Sequence, residues 1–223
     1  MKIAVIGFGK MGSWLAKGIA SDNEVAVYDI DSTKTKNANN VKILSGLMEL
    51  ESFKPAILIN AVNIQNIVSA FESVIKYLTS DCIISDVASI KGELPRYYQK
   101  SGFRFASVHP MFGPTFAKMD SLKDENAIII SESDRTAAGF FRTFFGKYGL
   151  NISECSFDEH DKLMAYSLTL PFTSSIVFAA CLNKQTIPGT TFARHRNIAR
   201  GLLSEDDFLL ADVLFKSALV STT

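Results

Sequence analysis

The chain has 223 residues, 47% of them hydrophobic, which is enough to bury one large core or one core with a smaller appendage. Lysine plus arginine equals aspartate plus glutamate, 23 against 23, and no block of like charge runs through the chain, so a nucleic-acid partner is not expected. Cys82, Cys155 and Cys181 are odd in number and far apart, without the paired spacing of a zinc site or a thiol redox motif, so buried free thiols and no metal are expected.

The first residues, MKIAVIGFGKMG, form a short apolar run that meets glycines at once, unlike the long apolar core of a signal peptide. The most apolar later stretch, near Ala165 to Leu182, is interrupted by Pro171 and several hydroxyl residues, and no membrane-spanning helix is expected from it. These features predict a cytoplasmic protein.

Residues 2 to 6, KIAVI, are β-branched and apolar, and Met11, Trp14, Leu15 and Ile19 then recur at helical spacing before Glu24 to Tyr28 resume a strand. Further apolar segments follow at Val41 to Leu44, Ala56 to Ala61, Cys82 to Val87, Phe103 to Val108 and Ala127 to Ile130, mostly separated by lengths that suit crossover helices. This alternation predicts an α/β fold, a Rossmann-type doubly wound and largely parallel sheet. A last strand-like piece near Leu150 to Ser153 leads to Ser156 and Glu159 in capping-box spacing, and the pattern is helical from there on. A dinucleotide-binding domain over residues 1–155 and a short, all-helical substrate and dimerisation domain over 156–223 are expected. Within the latter, helix starts are signalled at Thr191 and at Ser204 with Asp207.

Gly7, Gly9 and Gly12 form a GxGxxG pattern between a predicted strand and a predicted helix, where glycines permit a tight turn and let backbone amides approach a pyrophosphate. Gly7, Phe8, Gly9, Lys10, Met11 and Gly12 are therefore candidate cofactor-binding residues. Asp29 closes the second strand about 20 residues further on, where a carboxylate accepts hydrogen bonds from ribose hydroxyls and repels a 2′-phosphate. NAD is expected over NADP, although Ser32, Thr33 and Lys34 could hold a phosphate.

Two polar segments follow later strands: Asp86, Val87, Ala88, Ser89, Ile90, Lys91, and His109, Pro110, Met111, Phe112, Gly113, Pro114. In an open α/β sheet the ligand crevice lies outside the carboxyl ends of the strands, so Ser89 and His109 are expected to face one substrate. DVASIK and HPMFGP, with GxGxxG before them and Glu159, His160, Asp161 after them, resemble the paired signatures of the prephenate and arogenate dehydrogenase family over most of the chain. The resemblance implies oxidative decarboxylation of prephenate to 4-hydroxyphenylpyruvate in tyrosine biosynthesis, with His109 as the catalytic histidine that takes the ring hydroxyl's proton. Ser89 would orient His109 and that hydroxyl, or cap the helix that follows.

Prephenate carries two carboxylates, so cationic forks are needed, and Arg194, Arg196 and Arg200 lie on one predicted helix, with 196 and 200 on a shared face. Among these candidate substrate-binding residues, Arg200 and Arg194 are favoured. Many members of the family carry a histidine where this chain reads Leu168, Thr169, Leu170, Pro171, Phe172, which leaves arogenate open as the substrate. The family's dimerisation through its helical part implies a homodimer here. Two other readings stand beside this one: another small-acid dehydrogenase or imine reductase using Lys162 for acid/base work, and an NAD-binding module without turnover.

Overall fold

Strand β1 (Lys2–Ile6) is buried from Ile3 onward, as expected of a strand covered on both faces by crossover helices. The computed structural model describes residues 1–113, 122–182, 187, 189–203, 210, 211, 213 and 214. Pro114, Ser204, Asp207 and most of the apolar tail after them lie outside these residues.

After β1 come α1 (Lys10–Ile19), β2 (Glu24–Tyr28), α2 (Ser32–Thr35), β3 (Lys42–Ile43), α3 (Leu50–Phe53), β4 (Ile57–Asn60), α4 (Ile67–Val74), β5 (Ile83–Asp86) and α5 (Leu94–Ser101). They are followed by β6 (Phe105–Pro110), β7 (Asn126–Ile130), α6 (Arg135–Lys147) and β8 (Asn151–Cys155). The sheet has the order β3-β2-β1-β4-β5-β6-β7-β8. Neighbours run parallel except β6 and β7, which pair antiparallel with His109 opposite Ile128. The expected doubly wound, largely parallel sheet is the fold observed, and its order reverses between β1 and β4, where ligands of open α/β sheets bind.

The amphipathic spacing of α1 buries Leu15, Ala16 and Ile19 on the sheet, while Trp14 turns toward α6. There its indole meets Phe144 and Tyr148 with ring centroids 5.3 and 5.2 Å apart. Asp134 starts α6 by accepting from the Thr136 and Ala137 amides, satisfying two of the orphan donors at that end.

Close contacts divide the chain into two units, Met1–Phe157 and Asp158–Thr223. Helix α7 (Phe157–Met164) leads into a π-helical turn over Ala165–Thr169, then α8 (Leu170–Ala180) and, later, α9 (Thr190–Leu202). Helix α9 is capped at Gly189, two residues before the Thr191 signal. In the second unit α8 and α9 pack through Phe178, whose ring lies 5.4 Å from Phe192 and 4.2 Å from His195.

Contrary to the sequence expectation, Pro171 and the hydroxyl residues do not interrupt the helix: Phe157–Ala180 runs for 24 residues, long and apolar enough to cross a membrane by length and composition only. The physical reason is local. Proline conflicts with the carbonyl four residues back, and the widened π turn just before Pro171 accommodates that conflict. The hydroxyls bond back along the helix, Ser167 Oγ to the Leu163 carbonyl at 2.9 Å and Thr173 Oγ1 to the Thr169 carbonyl at 2.8 Å.

Candidate functional site

Strand β1 runs directly into the glycine turn. Gly7 has a φ of +86°, and a Cβ there would lie 2.7 Å from backbone atoms of Ala61 and Val62, just past β4. Gly12 lies in the first turn of α1, where a Cβ would fall 1.9 Å from the Gly7 carbonyl oxygen. The fold itself demands these two glycines. Gly9 is different: a Cβ there would meet nothing within 4 Å, and as the N-cap of α1 it offers no side chain to the first-turn amides. The positive end of α1 thus faces open space without a side-chain cap, a setting suited to an anion. Phe8 and Met11 turn their side chains onto the core, so only their backbone can serve a ligand, and Lys10 is exposed.

Asp29 stands just past β2 with its side chain 6% exposed. Its Oδ2 accepts from the Phe8 amide at 2.6 Å and its Oδ1 from the Asp31 amide at 2.9 Å, with Lys34 Nζ 3.7 Å away. The carboxylate therefore ties the end of β2 to the glycine turn, and a carboxylate's roughly four acceptor positions leave capacity for ribose hydroxyls. Asp31 caps α2, accepting from the Thr33 amide and hydroxyl, and these bonds hold its carboxyl below the usual range.

His109 lies in β6 and is 5% exposed. Ser89 follows β5 in a bend and is half-buried; its hydroxyl makes no hydrogen bond among the described residues. The alternative of Ser89 as a helix cap is not what is found, because α5 begins at Leu94 with Glu93 as its N-cap. Strands β5 and β6 are parallel neighbours, paired up to Asp86 opposite Ser107, so both candidate residues emerge at adjacent carboxyl ends. Phe112 anchors the histidine segment, its ring meeting Trp14 edge-on at 5.1 Å.

Sequence reasoning missed the group beneath them. Asp86 is fully buried; its Oδ1 accepts from Lys91 Nζ at 2.8 Å and from the Ala88 amide at 2.9 Å. Its Oδ2 accepts from the Tyr98 hydroxyl at 2.7 Å. Burial, reinforced by the Asp86 charge, pushes the Tyr98 hydroxyl well above its ordinary range. Lys91 also donates to the Val108 carbonyl at 2.8 Å. The available signal was an aspartate ending an apolar strand with a lysine five residues on, and Val87, Ala88 and Ile90 as apolar residues between them.

In the second unit, Arg196 and Arg200 line a cleft of about 410 Å³ with Ala179, Leu182, Ala199 and Leu203. The Arg196 Nε is buried without a hydrogen-bond partner among the described residues. Arg194 is exposed and outside that lining. His160 is buried, and its Nδ1 pairs with the Asp161 carboxylate at 2.9 Å. Lys162 is exposed and pairs with Asp158 at 2.6 Å; that hydrogen bond raises the ammonium's pKa. Among the described residues no cluster of three His, Cys, Asp or Glu side chains is placed to hold a metal.

A glycine turn at a strand's carboxyl end, beside the point where sheet order reverses and backed by an acidic residue after the second strand, defines a Rossmann-type nucleotide-binding domain. Residues 16–140 match the family model described as prephenate dehydrogenase, nucleotide-binding domain, and the chain belongs to that family. It is 27% identical over 173 residues to arogenate dehydrogenase 1, chloroplastic, of Arabidopsis thaliana, a match that covers 72% of this chain but only 27% of the plant protein. The solved prephenate dehydrogenase of A. aeolicus, in complex with hydroxyphenyl propionate and NAD+, shares the fold with a TM-score of 0.79 at 16% identity, over 96% of this chain and 81% of that one. Synechocystis arogenate dehydrogenase does so with a TM-score of 0.72 at 18% identity, over 96% and 82%.

Proposed function

We propose that this chain binds NAD and oxidatively decarboxylates prephenate to 4-hydroxyphenylpyruvate. The observation that carries the reading is the emergence of His109 and Ser89 at adjacent carboxyl ends of β6 and β5, inside the segment that matches the family. The glycine turn and Asp29 fit a dinucleotide: Gly9 alone of the three glycines has no protein neighbour to explain it, and a pyrophosphate approaching the α1 amides would. When bound, NAD supplies the two-electron acceptor.

His109 accepts the proton of the ring hydroxyl as the hydroxyl-bearing carbon is oxidised. The bond to the ring carboxylate then breaks, its electron pair aromatises the ring, and carbon dioxide leaves. A neutral imidazole suits general-base work near neutral pH, and the Ser89 hydroxyl is available to orient either the imidazole or the substrate hydroxyl. Arg196 and Arg200 would take a substrate carboxylate, since guanidinium forks suit carboxylates and the buried Arg196 Nε gains a partner. This replaces the sequence preference for Arg194 with Arg196. Exposed Leu163, Tyr166, Leu170, Val177 and Ile198 support a homodimer through the helical unit.

Arogenate is the second reading, favoured by the match to the plant arogenate dehydrogenase. Lys162 as acid/base group is not favoured, because its exposed pairing with Asp158 keeps it protonated. Steady-state NADH formation with prephenate and arogenate, each with NAD and with NADP, tests the proposal. Highest kcat/KM with prephenate and NAD is expected; a preference for arogenate would move the substrate, and silence in all four would overturn the reading.

A further inference from the structure

We propose that the buried Lys91–Asp86 pair is a strut that sets the spacing between Ser89 and His109, which makes Lys91 a positioning residue for the reaction. The inference rests on the reading of His109 and Ser89 given above.

The sheet's own hydrogen bonds stop short of the site. The β5–β6 ladder ends at Asp86 opposite Ser107, and β6 continues past it through Val108 to His109 and Pro110. Beyond the last rung, the Val108 carbonyl accepts from the Lys91 ammonium at 2.8 Å instead of from a strand. Lys91 therefore prolongs the ladder from the loop side, and the atom it holds belongs to the residue immediately before His109. The same ammonium meets Asp86 Oδ1 at 2.8 Å, and that oxygen also accepts from the Ala88 amide, immediately before Ser89. Two candidate catalytic residues thus each follow directly on a backbone group fixed by one ion pair. Tyr98 braces the pair from α5: its hydroxyl donates to Asp86 Oδ2 at 2.7 Å while its ring stacks on Phe105, at the start of β6, with centroids 4.2 Å apart.

Stability alone gives little reason for such a pair. Desolvating two charges offsets much of their attraction, and apolar side chains of similar volume commonly serve a core as well. What an apolar pair cannot do is donate to the Val108 carbonyl.

The test compares the full chain with the Asp86→Asn/Lys91→Met double variant, which leaves no orphan charge in the core and keeps an acceptor for the Ala88 amide. We expect NADH affinity, read by fluorescence titration, and KM to stay at wild-type values while kcat falls about 100-fold, the scale of a misplaced reacting group. A folded double variant with wild-type kcat overturns the strut alone, and so does a loss that falls on KM and NADH affinity instead of kcat. A wild-type chain that binds NADH but turns over neither acid overturns the parent reading and the strut with it. If the double variant does not fold, Tyr98→Phe carries the test: a severalfold loss in kcat at unchanged KM is expected, and wild-type kcat overturns the strut.

Discussion

Lys91 Nζ lies 2.8 Å from Asp86 Oδ1, and neither side chain exposes any surface. An ion pair this deep is held by its geometry: the ammonium has a second acceptor in the Val108 carbonyl, and the carboxylate has the Ala88 amide and the Tyr98 hydroxyl. Removing one partner leaves the other as a buried, uncompensated charge. Lys91→Met alone should cost about 3–5 kcal/mol in urea unfolding, and pairing it with Asp86→Asn should recover most of that loss.

The glycine turn separates structural demand from ligand demand. Gly12→Ala places a methyl group 1.9 Å from the Gly7 carbonyl oxygen, so the turn or α1 must shift. A clear fall in melting temperature together with loss of NADH binding is expected. Gly9→Ala meets no protein atom, so its melting temperature should match wild type while NADH affinity drops about tenfold or more, a loss read by fluorescence titration.

Asp29 should set the choice of dinucleotide. Its carboxylate lies 3.7 Å from Lys34 Nζ, and removing it would free that ammonium to meet a 2′-phosphate. Asp29→Ser should lower the NAD over NADP ratio of kcat/KM by about tenfold or more. An unchanged ratio would show that Asp29 serves only to hold the Phe8 and Asp31 amides.

Burial pushes the Cys82 thiol from its ordinary 9.0 up to about 12. At neutral pH a thiol-specific reagent should label the exposed Cys181 in the native protein and reach Cys82 only after unfolding. Because the folded pKa is raised, the stability this burial contributes is complete below about pH 9 and is lost as pH rises toward about 12. Urea melts across that window in wild type and Cys82→Ala should show the alkaline loss shrinking in the variant.

The sheet was legible because its signals are local. Apolar runs such as Ile57–Asn60 and Ile83–Asp86 are strands buried on both faces, and the spacing of Leu15 and Ile19 is that of one helix stripe. What was not legible depends on partners far apart in sequence. Lys91 reads as a surface charge until β6 brings the Val108 carbonyl to it from 17 residues away. Asp29 was legible as a ribose acceptor, but its bond to the Phe8 amide, 21 residues back, was not. Arg194 and Arg196 look alike in the sequence, and only the packing of α9 on α8 turns one into a cleft and leaves the other outside. Pro171 misled for a local reason, since a proline rule assumes an α-helical turn before it, and this chain supplies a π turn.

In the proposed reaction His109 is the group on which turnover depends. The most direct measurement is NADH formation from prephenate and NAD by wild type, His109→Asn and Lys162→Ala. His109→Asn is expected to lose about 100-fold to 10,000-fold in kcat with NADH affinity unchanged, while Lys162→Ala keeps wild-type kcat. An active His109→Asn beside an inactive Lys162→Ala would contradict that dependence.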